Sequence, residues 1–288
     1  MKKIIFIFIL FIGFARNTYS FTLSNFDTPE SFIVDAEDGS YYVSNVNGDP
    51  YAKDGNGYIS KIQSKGNIII QKFIGGKKGE ALLHAPKGLV IVGKKLYVTD
   101  IDAVKGFDKE TGKPAESYDL SKFKAKFLND ITADDKDFLY VSDTLTNQIF
   151  KINTRKKNEF TIFKEGKELG GPNGLFFNPK TKNLMVVTFM SGKILEIDHA
   201  GKVHVLKHGL LKLDGLDHDS RGNLYVSSFE KGEIYKIPHM GRGPAETFLA
   251  GLTTPADISC DRKKNELLIP SFNGNKVMTV SLDQKKIT

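Results

Sequence analysis

The chain has 288 residues, with 41 Lys and Arg against 34 Asp and Glu, one Cys and no Trp. Its ordinary apolar and charged fractions exclude global disorder. The single Cys excludes an internal disulfide framework and any cysteine-cluster metal site. A net charge of +7 raises nucleic acid or an anionic membrane as partners to be tested.

The first element is a targeting segment. Lys2 and Lys3 precede an unbroken apolar run from Ile4 to Phe14, followed by Arg16 and Thr18-Tyr19-Ser20. This is the layout of a secretory signal peptide over residues 1–20, with cleavage expected after Ser20. The run falls short of the roughly 20 residues a spanning helix needs. No stable membrane anchor is therefore expected after cleavage, and the protein is expected to be exported, periplasmic or secreted. The mature chain, 21–288, keeps 38 basic and 34 acidic residues, a net charge of +4. Its short basic runs, such as Arg155-Lys156-Lys157, lack interleaved aromatics, so nucleic-acid binding is set aside. Cys260, in Ile258-Ser259-Cys260, reads as a small buried hydrophobe.

From Phe21 onward the elements are strands. Phe21–Phe26 comes first, and then one block recurs six times. Each block opens on a short element ending in an apolar residue: Pro29–Phe32, Pro86–Leu89, Leu128–Ile131, Pro172–Leu175, Leu213–Leu216 and Pro255–Ile258. After a turn comes a β-branched and aromatic run. Leu96-Tyr97-Val98-Thr99-Asp100, Leu139-Tyr140-Val141-Ser142-Asp143 and Leu224-Tyr225-Val226-Ser227-Ser228 are the clearest copies. A third strand follows in every block, and a fourth in all but the last. The second residues of the opening elements are Glu30, Lys87, Asn129, Asn173, Asp214 and Ala256, spaced by 57, 42, 44, 41 and 42 residues. Four strands in about 40–45 residues is the spacing of a propeller blade. The expected fold is an all-β six-bladed β-propeller of four-stranded blades forming one domain, 21–288. Phe21–Phe26 is expected to complete the last blade and close the ring. Two β-sandwich domains would not explain one element recurring six times in register. The long first spacing places an insertion around Val46–Asn56.

Innermost strands line a propeller's channel, so the six second residues converge at its mouth. Four of them, Glu30, Asn129, Asn173 and Asp214, carry side-chain oxygens, which suit calcium or another hard divalent cation. The competing reading is polar capping of strand starts, because Asn-Gly, Asp-Gly and Asn-Asp are common turn pairs. His84 lies on the loop before Lys87 and is a candidate by location; the remaining histidines read as structural, in outer strands or turns.

With these positions, the chain resembles the calcium-dependent six-bladed propellers of the SMP-30/gluconolactonase/regucalcin group and the related paraoxonases. The resemblance rests on Leu-Asn-Asp-Ile around Asn129, Pro-Asn-Gly-Leu around Asn173, Leu-Asp-Gly-Leu around Asp214, and Glu30. It implies that Glu30, Asn129, Asn173 and Asp214 hold a catalytic Ca2+, with Asn129 also facing substrate. The sequence departs from the paraoxonases at Lys87, where they carry a histidine, and at Gly215 and Ser31. It also lacks the Glu-Gly-Pro string of regucalcins.

The implied function is an exported calcium-dependent lactonase or esterase, acting as a monomer on a small-molecule lactone or ester. A metal-polarised carbonyl would be attacked by water, with Asp214 or Asp130 taking the proton. Lys87 and His84 would contact substrate; alternatively the Lys87 stem lies along the channel wall. The competing function is a non-catalytic propeller that binds a ligand or a protein partner, with calcium bracing the channel. A metal-free propeller of the strictosidine-synthase type is disfavoured by the ligand set.

Overall fold

The computed structural model describes residues 21–64, 69–76, 82–156 and 159–283. The expected signal peptide, 1–20, lies outside them, as does Lys157 of the basic run Arg155-Lys156-Lys157.

Six four-stranded antiparallel sheets form the molecule. In the first blade the strands run outward in sequence order: Pro29–Val34, Tyr41–Asn45, Tyr58–Ile62 and Ile69–Gly75. The inner strands of the next four blades are Pro86–Val92, Leu128–Ala133, Pro172–Phe177 and Leu213–His218. Successive inner strands pack against one another around the axis. The sixth blade differs from expectation. Its inner strand is only Ser259–Asp261, and Pro255 makes an isolated bridge to Ser271. His218 likewise ends an inner strand rather than lying in an outer strand or turn.

The ring closes as the repeat requires. Thr22–Ser24 pairs antiparallel with Lys276–Ser281, placing Thr22 opposite Met278. The Phe21 amide donates to Thr279 Oγ1 at 3.2 Å, and Phe26 is buried with Phe32, Tyr41, Leu268 and Val277. A sheet edge that would otherwise accept another chain is thereby covered.

The second strands are the most deeply held. Tyr41–Asn45, Leu184–Thr188 and Leu224–Ser228 are buried at every residue. A strand sandwiched between two blades has no solvent face, so these read as continuous apolar runs rather than alternating ones. Clusters that cross from blade to blade, such as Tyr97, Leu128, Val141 and Phe150, fill the space between sheets.

Candidate functional site

The repeat builds one local device that aims side chains into the channel. In five blades the ladder between first and second strands shifts register across the second and third residues of the opening element. In the first blade Pro29 pairs with Asn45, but Phe32 pairs with Val43; the same shift occurs at Pro86/Leu89, Leu128/Ile131, Pro172/Leu175 and Leu213/Leu216. Two residues on one strand thus face one on the other, a β-bulge, which re-aims side chains. The hydroxyl of the second strand satisfies the bulge. Ser44, Ser142 and Ser227 accept from the backbone N–H of Ser31, Asp130 and Gly215 at 2.9, 3.0 and 2.8 Å. The hydroxyl then reaches the next blade. Thr99, Ser142 and Ser227 donate to the carbonyls of Asn129, Asn173 and Ala256 at 2.5, 2.7 and 2.7 Å. The recurring Ser/Thr of the Tyr-Val-Ser run is therefore a backbone brace for the second-position residues.

Five of those second-position residues meet. Glu30, Lys87, Asn129, Asn173 and Asp214 are buried and form the polar floor of a cavity of about 320 Å³ at the channel mouth. Their oxygens are unusual. Glu30 Oε2, Asn129 Oδ1, Asn173 Oδ1 and Asp214 Oδ1 are buried and lack a hydrogen-bond partner. A buried acceptor without a donor costs roughly 1–3 kcal/mol. Four in one cavity make a place that is completed only by something positively charged or donating.

Burial also moves the ionisations. It pushes the carboxyls of Glu30 and Asp214 well above the ordinary range; Asp214 and Asp257 add like charge at Glu30, and Asp257 adds it at Asp214. It pulls the Lys87 amine down to about 8, against the opposing pull of Glu30. The Lys87 Nζ donates to the carbonyls of Pro50 and Ala85 at 3.2 and 3.1 Å and lies 4.3 Å from the centroid of the Phe127 ring.

Two expected site residues lie apart from this floor. Asp130 accepts from the backbone N–H of Ile131 and Leu175, both at 2.6 Å, so it ties the third blade to the fourth. Its fit is tight: a Cβ on Gly88 would come within 2.6 Å of Asp130 Cα. His84 Nδ1 accepts from the Gly55 amide at 3.1 Å, while Asp100 holds the His84 backbone N–H. Neither lines the cavity.

The rim was not anticipated. Tyr51, Phe127, Phe189, Met190, Phe229 and Phe272 form an apolar collar above the floor. Tyr51 and Phe127 pack at 4.7 Å between centroids; Phe189, Phe229 and Phe272 form an edge-to-face chain at 6.1 and 5.7 Å. The missed signal was a second repeat position, the residue directly after each second strand. It holds Val46, Ile101, Thr144, Phe189, Phe229 and Phe272. Tyr51 comes from the Val46–Asn56 insertion.

No family model and no curated protein matches the chain. Solved structures do. A catalytically inactive histidine-to-alanine form of virginiamycin B lyase from Staphylococcus aureus, with quinupristin, is 16% identical. Its TM-score is 0.64, and the match covers 91% of this chain and 99% of that one. A streptogramin B lyase is 13% identical with TM-score 0.62, covering 90% and 97%. An auxiliary nutrient binding protein from Bacteroides thetaiotaomicron is 12% identical with TM-score 0.68, covering 88% and 69%. This is a six-bladed β-propeller. At these identities the likeness is one of fold, and it does not place the chain in the SMP-30 or paraoxonase family.

The expectation of a calcium-dependent lactonase or esterase is overturned here. The enzymes among these structures are lyases, not metal-dependent hydrolases. Among the described residues, moreover, no group of three or more His, Cys, Asp or Glu comes together to hold a metal ion. The floor carries two carboxylates, its other oxygens being amides, as the repeat position supplies them.

Proposed function

We propose that the channel mouth binds a small molecule with an apolar body and a polar reacting end, and that the protein is a lyase acting by elimination. One observation carries this reading: a buried lysine, two carboxylates shifted toward higher pKa and an apolar collar share one cavity.

Elimination needs three things from a protein. A base removes a proton next to a carbonyl, positive charge holds the electrons that develop there, and water is kept away from the product. Burial makes Glu30 and Asp214 more basic than surface carboxylates, so either can take the proton once ionised. The Lys87 ammonium offers positive charge at the edge of the floor. The collar excludes water and positions an apolar body. The likeness to virginiamycin and streptogramin B lyases over nearly the whole chain supports the reaction class.

The four unpartnered oxygens of Glu30, Asn129, Asn173 and Asp214 fit a hard divalent cation, calcium being the size that accepts mixed carboxylate and amide oxygens. Bound there, it would add positive charge to the floor.

The test is product chemistry. Quinupristin and simpler cyclic esters with a proton next to the carbonyl are incubated with the protein and followed by mass and ultraviolet absorbance. Elimination opens a ring with no change in mass and creates an absorbing double bond. Products that have gained one water overturn the reading. So does tight binding without turnover, an outcome favoured by one observation: no histidine lines the cavity among the described residues.

A further inference from the structure

Among the described residues two lysines are almost fully buried, and they are treated in opposite ways. Lys109, 3% exposed, sits between Asp35 and Glu37 at 2.7 Å from each. Lys87, 2% exposed, has no carboxylate partner among the described residues. Its hydrogen bonds go to two backbone carbonyls, those of Pro50 and Ala85. An ammonium has three N–H donors; a neutral amine has two and a lone pair. Two acceptors match the two N–H groups of the neutral form. That amine belongs to the wall of the mouth cavity, beside the Phe127 ring. Lysines desolvated in apolar pockets are the ones that become nucleophiles.

We propose that Lys87 is a nucleophilic amine that forms an imine with an aldehyde or ketone ligand held under the collar. In the step, Nζ adds to the carbonyl carbon, and the C–O bond breaks as C=N forms. The carbonyl oxygen leaves as water with the two amine protons, and nothing is oxidised or reduced. The proposal rests on the small-molecule reading of this cavity and narrows its ligand to a carbonyl compound with an apolar body. An imine also withdraws electrons from the adjacent carbon, which is what elimination from that carbon requires.

The probe is benzaldehyde with cyanoborohydride, which reduces an imine to a stable secondary amine. Labelling is run on the mature chain, 21–288, at low conversion near pH 7 and located by peptide mass. Lys87 is expected to be labelled at least tenfold faster than the average surface lysine. Lys87→Arg, which keeps the positive charge, is expected to lose that label while retaining its melting temperature. Benzyl alcohol, which has the same ring and no carbonyl, reads the pocket separately: it is expected to raise the melting temperature and to slow labelling at Lys87. If benzyl alcohol binds and Lys87 reacts no faster than surface lysines, the imine proposal is overturned and the pocket reading stands. If benzyl alcohol does not bind and Lys87 is not labelled selectively, both fall.

Discussion

The two ends of the channel treat their charged groups differently. At the mouth, four buried oxygens have no partner, and the one buried lysine bonds only to backbone carbonyls. At the opposite face, around a cavity of about 510 Å³, the charges are matched. Lys109 bridges Asp35 and Glu37, Arg262 pairs with Asp217, and Lys264 donates to the Tyr41 hydroxyl at 2.5 Å. The hydrogen bonds to those carboxylates hold the Lys109 amine above its ordinary range in spite of burial, whereas Lys87 is pulled below it. The same fold and the same residue types thus give a satisfied end and an unsatisfied one. Satisfied charges brace the blades. Unsatisfied ones cost stability and are completed by a ligand.

The comparison breaks most visibly if the mouth carboxylates are neutralised. Glu30→Gln with Asp214→Asn is expected to lower turnover about 100-fold or more, because the base and the negative floor go together. The same pair is expected to raise stability by about 1–2 kcal/mol, since buried unpaired carboxyls are removed. Activity assays and denaturant titrations read the two effects in opposite directions. A loss of both would place the mouth in the same structural class as the far end.

At the far end the sign reverses. Lys109→Met leaves Asp35 buried without its partner and is expected to cost about 3–5 kcal/mol. Binding at the mouth should survive in the folded fraction, as measured by calorimetry below the melting temperature. The collar sits between these extremes. Phe229→Ala removes the middle ring of the edge-to-face chain and is expected to weaken ligand binding about tenfold. Its melting temperature should move little, because the ring lies at the rim.

The gentlest probe is pH. Asp257 is raised from its ordinary 3.8 to about 7, mainly by burial, and Glu30 and Asp214 are raised in the same direction. A carboxyl raised on folding binds protons more tightly in the folded state, so its favourable contribution is full below the unfolded value and is lost as pH rises through the folded one. The ligand-free protein is therefore expected to lose melting temperature between about pH 4 and 7. A divalent cation that seats on the floor should flatten that slope. A rising profile over the same range would mean that the mouth is as well matched as the far end.

Much of this was legible because the chain states its period six times. Strand content, blade number, ring closure and the convergence of Glu30, Lys87, Asn129, Asn173 and Asp214 follow from one recurring element and its spacing. The burial of Cys260 was legible too, from its apolar neighbours. The placement of Asp130 was not. Adjacent Asn129 and Asp130 look equally suited to chemistry, but the bulge sends Asn129 to the cavity and Asp130 to the Leu175 amide. His84 looked available from its loop position, and the turn through Gly55 occupies its ring nitrogen. The collar was written at a repeat position but is degenerate there: Val46, Ile101 and Thr144 carry no aromatic signal to match Phe189, Phe229 and Phe272.

The sequence by itself determined the architecture, because periodic apolar runs can be buried only by stacking like units around an axis. It also determined which residues reach the channel mouth, since the same position in each repeat lands at the same height and depth in its blade. Only the tertiary structure decided which polar groups are left without partners. Partnership depends on neighbours from other blades, as when Asp257 takes the Ser31 hydroxyl at 2.5 Å across 226 residues. No local pattern encodes such a contact. The oxygens that the fold leaves unpaired, rather than those the sequence merely supplies, mark the end of the channel where we place function.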